Sequence, residues 1–291
     1  MNYRYKVVDV FTSQPLLGNP VAVVLDAQDL SGERMQEIAR WTNLSETTFV
    51  LPPVDARADY RLRIFTPRSE LPFAGHPTLG SAHAILSDGR IAPRHPGRLM
   101  QQCDIGLVEV TIDERDGDRE LAFSLPPAQI EALHRDDVLE LERILGRRVD
   151  TAHMPATVNV GPVWVIVLVP DAAAVLDLRP DLASLAAFER RLGVTGVTVF
   201  GPREQDSGSI EVRTFAPSCG VDEDPVCGSG NGSVAAYRWA QRMLPPGGCE
   251  YLATQGRRVG RDGRVRVRVD AQGRVQVGGA CVSCVEGVLA L

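Results

Sequence analysis

Arg63-Ile64-Phe65-Thr66-Pro67 returns 150 positions later (213 against 63) as Arg213-Thr214-Phe215-Ala216-Pro217. At the same offset Thr48 and Pro52 match Thr198 and Pro202. Each copy then runs into a glycine-rich turn. The first is Gly75-His76-Pro77-Thr78-Leu79-Gly80; the second is Asp224-Pro225-Val226-Cys227-Gly228-Ser229-Gly230-Asn231-Gly232. Upstream, Gly18-Asn19-Pro20-Val21-Ala22-Val23-Val24 loosely matches Gly161-Pro162-Val163-Trp164-Val165-Ile166-Val167. One five-residue match is weak. Several in the same order, nearly in register, predict two structurally similar halves.

Local patterns give each half both strands and helices. Val7 to Phe11, Val21 to Leu25, Glu46 to Leu51 and Asp59 to Phe65 are rich in β-branched or aromatic residues or alternate in polarity, as strands do. Ser31 can cap a helix through about Thr42, with Met35, Ile38, Ala39 and Trp41 as its apolar contacts. Pro77 or Thr78 opens a helix through about Leu86. Arg135 to Leu145 and Leu182 to Leu192 are amphipathic helices. Gly232 or Ser233 opens another through about Met243, stopped by Pro245-Pro246. Further strands are expected at Leu107 to Ile112, Val265 to Val269, Arg274 to Val277 and Ala280 to Leu289. Leu125-Pro126-Pro127 marks a domain boundary. The expected division is residues 1–125 with a C-terminal strand at about 280–291, and residues 126–279. Two α+β halves, each presenting a glycine-rich helix start, place the active site in the cleft between them.

Composition narrows the function classes. With 44% hydrophobic and 23% charged residues in 291, the chain has the make-up of a soluble globular protein. A net charge of -6 argues against nucleic acid as a partner. Lys6 is the only lysine and lies in the first strand, which disfavours Schiff-base and pyridoxal-phosphate chemistry. No apolar run is long enough to span a membrane, and no targeting segment is visible, so the cytoplasm is the expected compartment. The six cysteines do not read as a secreted disulfide framework in a chain of this length. Cys281-Val282-Ser283-Cys284 has C-x-x-C spacing but no second pair, and it lies in a strand-like segment, so no zinc or redox site is assigned to it. Gly228-x-Gly230-x-Gly232 lacks the spacing and the leading strand of a dinucleotide fingerprint.

The chemistry-bearing residues fall on two sides. In Leu44-Ser45-Glu46-Thr47-Thr48-Phe49-Val50 a carboxylate opens an otherwise apolar strand. Burial there would raise its pKa and let it accept and return a proton near neutrality. At offset 150 the residue opposite Glu46 is Gly196, so only one half carries the acid. The plain alternative is a solvated strand-end Glu. His76 sits where a helix begins and can bind an anion, orient a substrate or move a proton, or be structural. His83 shares its helix, but two histidines at that spacing, without carboxylates, do not make a metal site. His95, His134 and His153 carry no assignment. Asp224 can orient His76 or bind a substrate amine or hydroxyl, or simply cap its loop. Ser229 can donate to an anion. Closely spaced glycines before a helix expose backbone N–H groups to an anion. Cys227, near a helix N-terminus, is expected to have a lowered thiol pKa, or else to be a buried and inert side chain.

These motifs together resemble the phenazine-biosynthesis isomerase-like (PhzF-like) family, over the full length of the chain. The marks are Asp9-Val10-Phe11-Thr12 with Gly18-Asn19-Pro20-Val21-Ala22-Val23, then Ser45-Glu46-Thr47-Thr48-Phe49, Arg63 to Pro67, Phe73-Ala74-Gly75-His76-Pro77-Thr78-Leu79-Gly80, and Glu223-Asp224-Pro225-Val226-Cys227-Gly228-Ser229. The resemblance implies the diaminopimelate epimerase-like fold: two pseudo-symmetric α+β halves, each a barrel-like, mostly antiparallel sheet around a central helix. It implies a homodimeric isomerase without cofactor or metal. Its substrate would be a small, carboxylate-bearing, cyclic amino-acid-like molecule. By residue matching, Glu46 is the acid/base. His76, Asp224 and Ser229 surround the substrate. Ser45 binds the substrate, and the turns at Gly75 and Gly228 hold its carboxylate. The chain departs from many members at Cys227, where they carry Thr. A Cys-Gly-Ser-Gly turn is the mark of related amino-acid racemases and epimerases, but their partner cysteine is Ala74 here. Cys227 therefore stands as a second acid/base candidate. An epimerase using Cys227, and a non-catalytic small-molecule-binding protein, are the two alternatives.

Overall fold

The computed structural model describes residues 1–115, 118–150, 152–203 and 208–291. They form two compact units, Met1–Phe123 with Gly278–Leu291, and Ser124–Val277. The first unit contains β1 (Asn2–Val10), β2 (Asn19–Val24), α1 (Gly32–Thr42), β3 (Thr47–Leu51), β4 (Tyr60–Phe65), β5 (Glu70–Leu71), α2 (Gly75–Asp88), β6 (Arg98–Cys103), β7 (Gly106–Arg115) and β8 (Asp118–Ser124). The second contains β9 (Gln129–Ala132), α3 (Arg135–Leu145), β10 (Ala156–Asn159), β11 (Val163–Leu168), α4 (Ala172–Asp177), α5 (Leu182–Leu192), β12 (Gly196–Pro202), β13 (Ile210–Ala216), β14 (Val221–Asp224), α6 (Gly228–Ala240), β15 (Cys249–Gln255) and β16 (Gly263–Val269). The last strand, β17 (Val275–Ala290), begins in the second unit and continues in the first.

The duplication read in the sequence is a duplication of pairing. β2 lies parallel to β3, β3 antiparallel to β4, β4 parallel to β6 and β6 antiparallel to β7. β11, β12, β13, β15 and β16 repeat that order with the same sense at each step. In the first unit β17 pairs with both β1 and β8, which closes the sheet into a barrel. The repeated arginines explain why Arg-x-Phe recurs. Arg63 grips Glu70 through Nε and Nη2 at 2.6 and 2.7 Å; Arg213 grips Glu223 the same way at 3.0 and 2.7 Å. Each guanidinium also stacks on the aromatic ring two residues on, at 5.1 and 4.8 Å from the centroids of Phe65 and Phe215. Both sides of the charge are thus satisfied, by a two-point carboxylate and a π face.

Each unit wraps its strands around one helix, α2 or α6. Nine of the residues of α2 are buried, from His76 through Ile85, and α6 is buried from Gly230 to Arg238. A helix buried on every side must be built from small residues where strands approach. A Cβ on Gly80 would lie 2.3 Å from Val21 Cγ1, and one on Gly232 would lie 2.2 Å from Leu125 Cδ1. The outer helices are ordinary amphipathic ones. Ser31 caps α1 by accepting from the Arg34 N–H at 3.2 Å, and Asp181 caps α5.

Four expectations change. Trp41 is 75% exposed and does not join Met35, Ile38 and Ala39 in the core. α2 begins at Gly75 rather than Pro77 or Thr78, because proline without an N–H fits anywhere in a first turn. α6 begins at Gly228 rather than Gly232 or Ser233, and it ends at Ala240 rather than Met243. The strands expected at Arg274 to Val277 and Ala280 to Leu289 are the single strand β17, carried across by Gly278-Gly279, where a Cβ on Gly278 would meet Ala122.

Candidate functional site

Glu46 is the residue immediately before β3, and His76 is the second residue of α2. The fold brings them together: His76 Nε2 stands 3.3 Å from Glu46 Oε2, with side-chain exposures of 9% and 16%. The imidazole also donates to the Pro20 carbonyl, and burial drives its pKa down to about 3, so it is neutral at physiological pH. Since Nε2 faces Glu46, the nitrogen that donates to Pro20 is Nδ1, and Nε2 presents a lone pair to the carboxyl group. The Asn19-Pro20 stretch quoted from the first repeat is therefore the part that fixes the His76 tautomer. Gly75 opens α2 beneath Phe123, whose Cζ would be 2.6 Å from any Cβ there. Ala74, the N-cap of α2, supplies no side-chain acceptor to the first turn. Ser45 precedes Glu46 and is half-buried.

In the second unit the glycine-rich stretch is the end of β14 and the start of α6. Asp224 accepts from the Val226 N–H at 3.0 Å and from the Cys227 thiol. Burial raises its pKa to about 6, and those hydrogen bonds only partly offset this. Cys227 is the N-cap of α6: its Sγ accepts from the Gly230 N–H at 3.3 Å and lies 3.6 Å from Ser229 Oγ. Burial, and then the Asp224 charge, push this thiol well above its ordinary pKa. The expectation of a lowered thiol pKa fails here, because desolvation outweighs the helix terminus. Gly228 is the first helical residue, and Ser229 Oγ accepts from the Trp164 indole N–H at 3.1 Å. Gly230 and Gly232 serve packing rather than an open nest. A Cβ on Gly230 would fall 2.9 Å from Thr198 Oγ1.

Two residues of this site had no signal in the sequence. Gln255, on β15, accepts from the Cys227 N–H at 3.2 Å and from Asn231 Nδ2 at 2.9 Å, and donates to the Asp224 carbonyl at 2.9 Å. It ties the β14–α6 turn to the sheet. Trp164 read as one more apolar residue of β11. His83 lies on α2 with His76 and meets Ser283 Oγ at 3.2 Å; burial lowers its pKa to about 4. Among the described residues no group of three His, Cys, Asp or Glu side chains is arranged to hold a metal ion. No helix of the described residues is long and apolar enough to cross a membrane.

A family model described as phenazine biosynthesis-like protein matches residues 8–287. The chain belongs to the phenazine biosynthesis-like family. It is 41% identical to antisense-enhancing sequence 1 of Schizosaccharomyces pombe, over 98% of each chain. It is 37% identical to the trans-2,3-dihydro-3-hydroxyanthranilate isomerase of Pseudomonas aeruginosa, again over 98% of each. Its fold superposes on the Bacillus anthracis phenazine biosynthesis protein of the PhzF family with a TM-score of 0.88, at 25% identity and complete coverage of both chains. Like the relatives named for an activity, this member of the phenazine biosynthesis-like family is an isomerase.

Proposed function

We propose that the protein moves a proton within a small, cyclic, carboxylate-bearing amino-acid-like molecule, with Glu46 as the acid/base. The supporting observation is the 3.3 Å approach of Glu46 Oε2 to a buried, neutral His76 whose Nδ1 is committed to Pro20. Two lone pairs facing each other at that distance repel. We assign the reacting proton to Glu46, because burial keeps the imidazole neutral. A carboxylic acid held in this way gives its proton to one carbon of a conjugated ring. The carboxylate so formed takes a proton from another carbon. One proton is given and one taken, so the enzyme returns to its starting state with no net redox change. His76 holds the carboxyl group in place through both steps. To the substrate's carboxylate, amine or hydroxyl we assign Ser45, Gly75 and His76 of the first unit, and Asp224, Gly228 and Ser229 of the second.

The substrate class is that of the Pseudomonas relative, whose name specifies a dihydro-hydroxyanthranilate. The test is turnover of trans-2,3-dihydro-3-hydroxyanthranilate in heavy water. The native enzyme should place one solvent deuterium on a ring carbon per turnover. Glu46→Gln should lower kcat by roughly 10²–10⁴-fold, the usual contribution of a positioned acid/base. Full turnover in Glu46→Gln would remove Glu46 from this role. No turnover by the native protein would remove this substrate class.

A further inference from the structure

Arg238 lies ten residues beyond the start of α6 and is only 7% exposed. Its Nη2 donates to the Gly208 carbonyl at 3.2 Å, and its Cζ stands 4.4 Å from the centroid of the Tyr251 ring. Nε and Nη1 are buried and meet no carbonyl or carboxylate among the described residues, and the guanidinium's side-chain partner is Tyr251. Arg213, buried to the same degree, has its Nε and Nη2 met by Glu223 and its Nη1 by the Val175 and Leu178 carbonyls. A buried guanidinium without an anion is a costly arrangement, since it gives up hydration without gaining a counter-charge. Among the described residues Arg238 has its ring and one carbonyl, and no anion.

Arg238 also lines a cavity of about 230 Å³. The rest of the wall is chiefly apolar, with Leu168, Phe200, Ile210 and Met243, and one carboxylate, Asp150. The Asp150 Oδ1 already accepts from the Ala152 and His153 N–H groups at 2.7 and 3.0 Å. These bonds hold it as a fixed negative charge in the wall. On the helix, at 1.5 Å per residue, Arg238 is about 15 Å along the axis from the α6 start that carries Ser229. The cavity is thus a separate place from the Asp224–Ser229 turn.

We propose that this cavity is a second small-molecule site, which takes a monocarboxylate with an apolar body and seats the carboxylate on Arg238. One cation matches one negative charge. The apolar wall calls for a hydrocarbon body rather than a bare inorganic anion. Asp150 in the wall disfavours a second negative charge, which excludes dicarboxylates and phosphate dianions. The volume suits a molecule of about the size of benzoate or a branched six-carbon acid, small for a ligand pocket. The inference does not rest on the proton-transfer reading and stands or falls separately from it.

Titration of the full chain with benzoate tests the proposal, read by NMR of the Met243 and Ile210 methyl groups. Benzoate should shift both in a saturable way. Neutral benzamide, of the same shape, should bind at least tenfold more weakly, and so should benzoate to Arg238→Gln. Arg238→Lys keeps the charge and should retain benzoate binding within about tenfold. Absence of a saturable shift at these methyls would overturn the proposal. So would equal binding of benzamide, or unchanged affinity in Arg238→Gln. Should Arg238→Gln fail to fold, the benzoate-to-benzamide ratio on the native protein decides alone.

Discussion

At the scale of single residues, Cys227 draws the eye as a nucleophile, yet its surroundings make it a cap. Its Sγ accepts from the Gly230 N–H, its thiol donates to Asp224, and burial keeps it protonated. The matching N-cap of α2 is Ala74, so there is no second thiol to complete a two-cysteine pair. Serine can make the same cap. Cys227→Ser should therefore keep kcat within about threefold, whereas Cys227→Ala should cost about 1 kcal/mol of stability, the usual value of a lost N-cap. A fall of a hundredfold or more in Cys227→Ser turnover, at unchanged melting temperature, would restore the thiol to the chemistry. Glu46 and His76 could be picked out in the sequence because each sits in a short motif at the edge of an element. Trp164 and Gln255 could not. Each acts on the Asp224–Ser229 turn from a strand tens of residues away, and that adjacency comes from sheet pairing.

At the scale of elements, the amphipathic helices α1, α3 and α5 were legible in the sequence, whereas the short α4, capped by Asp171, was not read. Ser31 announces α1, the apolar stripe of Leu182 to Leu192 announces α5, and Gly89, Gly146 and Gly193 end their helices in the left-handed region. α6 was misplaced at its start because Gly228-Ser229-Gly230-Asn231-Gly232 is a poor helix former by propensity. What overrides propensity is space: helix and strands come closer than any Cβ allows. The same argument carries a prediction for α2. Ala is the better helix former, so Gly80→Ala should stabilise an exposed helix by about 1 kcal/mol. Here the new Cβ would lie 2.3 Å from Val21 Cγ1 and 3.0 Å from Val10 Cγ2, both on stiff β-branched side chains in β2 and β1. Overpacking of this kind costs on the order of 1–3 kcal/mol. The net expectation is a lowered melting temperature for Gly80→Ala, measured by circular dichroism. A raised one would mean that the barrel relaxes around its helix more easily than its packing implies.

At the scale of the whole molecule, the buried titratable groups divide the pH axis between the two units. In the first unit His76 and His83 have pKa values lowered to about 3 and about 4 from an ordinary 6.5. Below pH 6.5 the unfolded chain binds protons that the folded one refuses, so these histidines lower stability as pH falls from 6.5 towards 4. In the second unit Asp224 is raised to about 6 from 3.8. Between those values the folded state holds the proton and the unfolded state does not, so stability from this group falls as pH rises from about 4 through 6. Each pKa unit corresponds to about 1.4 kcal/mol, so the two histidines outweigh the single Asp224 across this window. The signs oppose each other without cancelling, and the native protein should lose stability as pH falls from 6.5 to 4.5. Single substitutions should uncover the two limbs. Asp224→Asn keeps an acceptor for the Val226 N–H and removes the charge. It should melt higher than the native protein at pH 7.5, by an amount that shrinks towards pH 4.5. His76→Asn keeps a donor for the Pro20 carbonyl and cannot be protonated. It should flatten the acid limb whatever its absolute stability, because the comparison is of slopes. Melting curves across pH 4.5–7.5 check both. Parallel profiles for Asp224→Asn and the native protein would show that Asp224 is not held near 6, and with that its burial would lose its thermodynamic consequence.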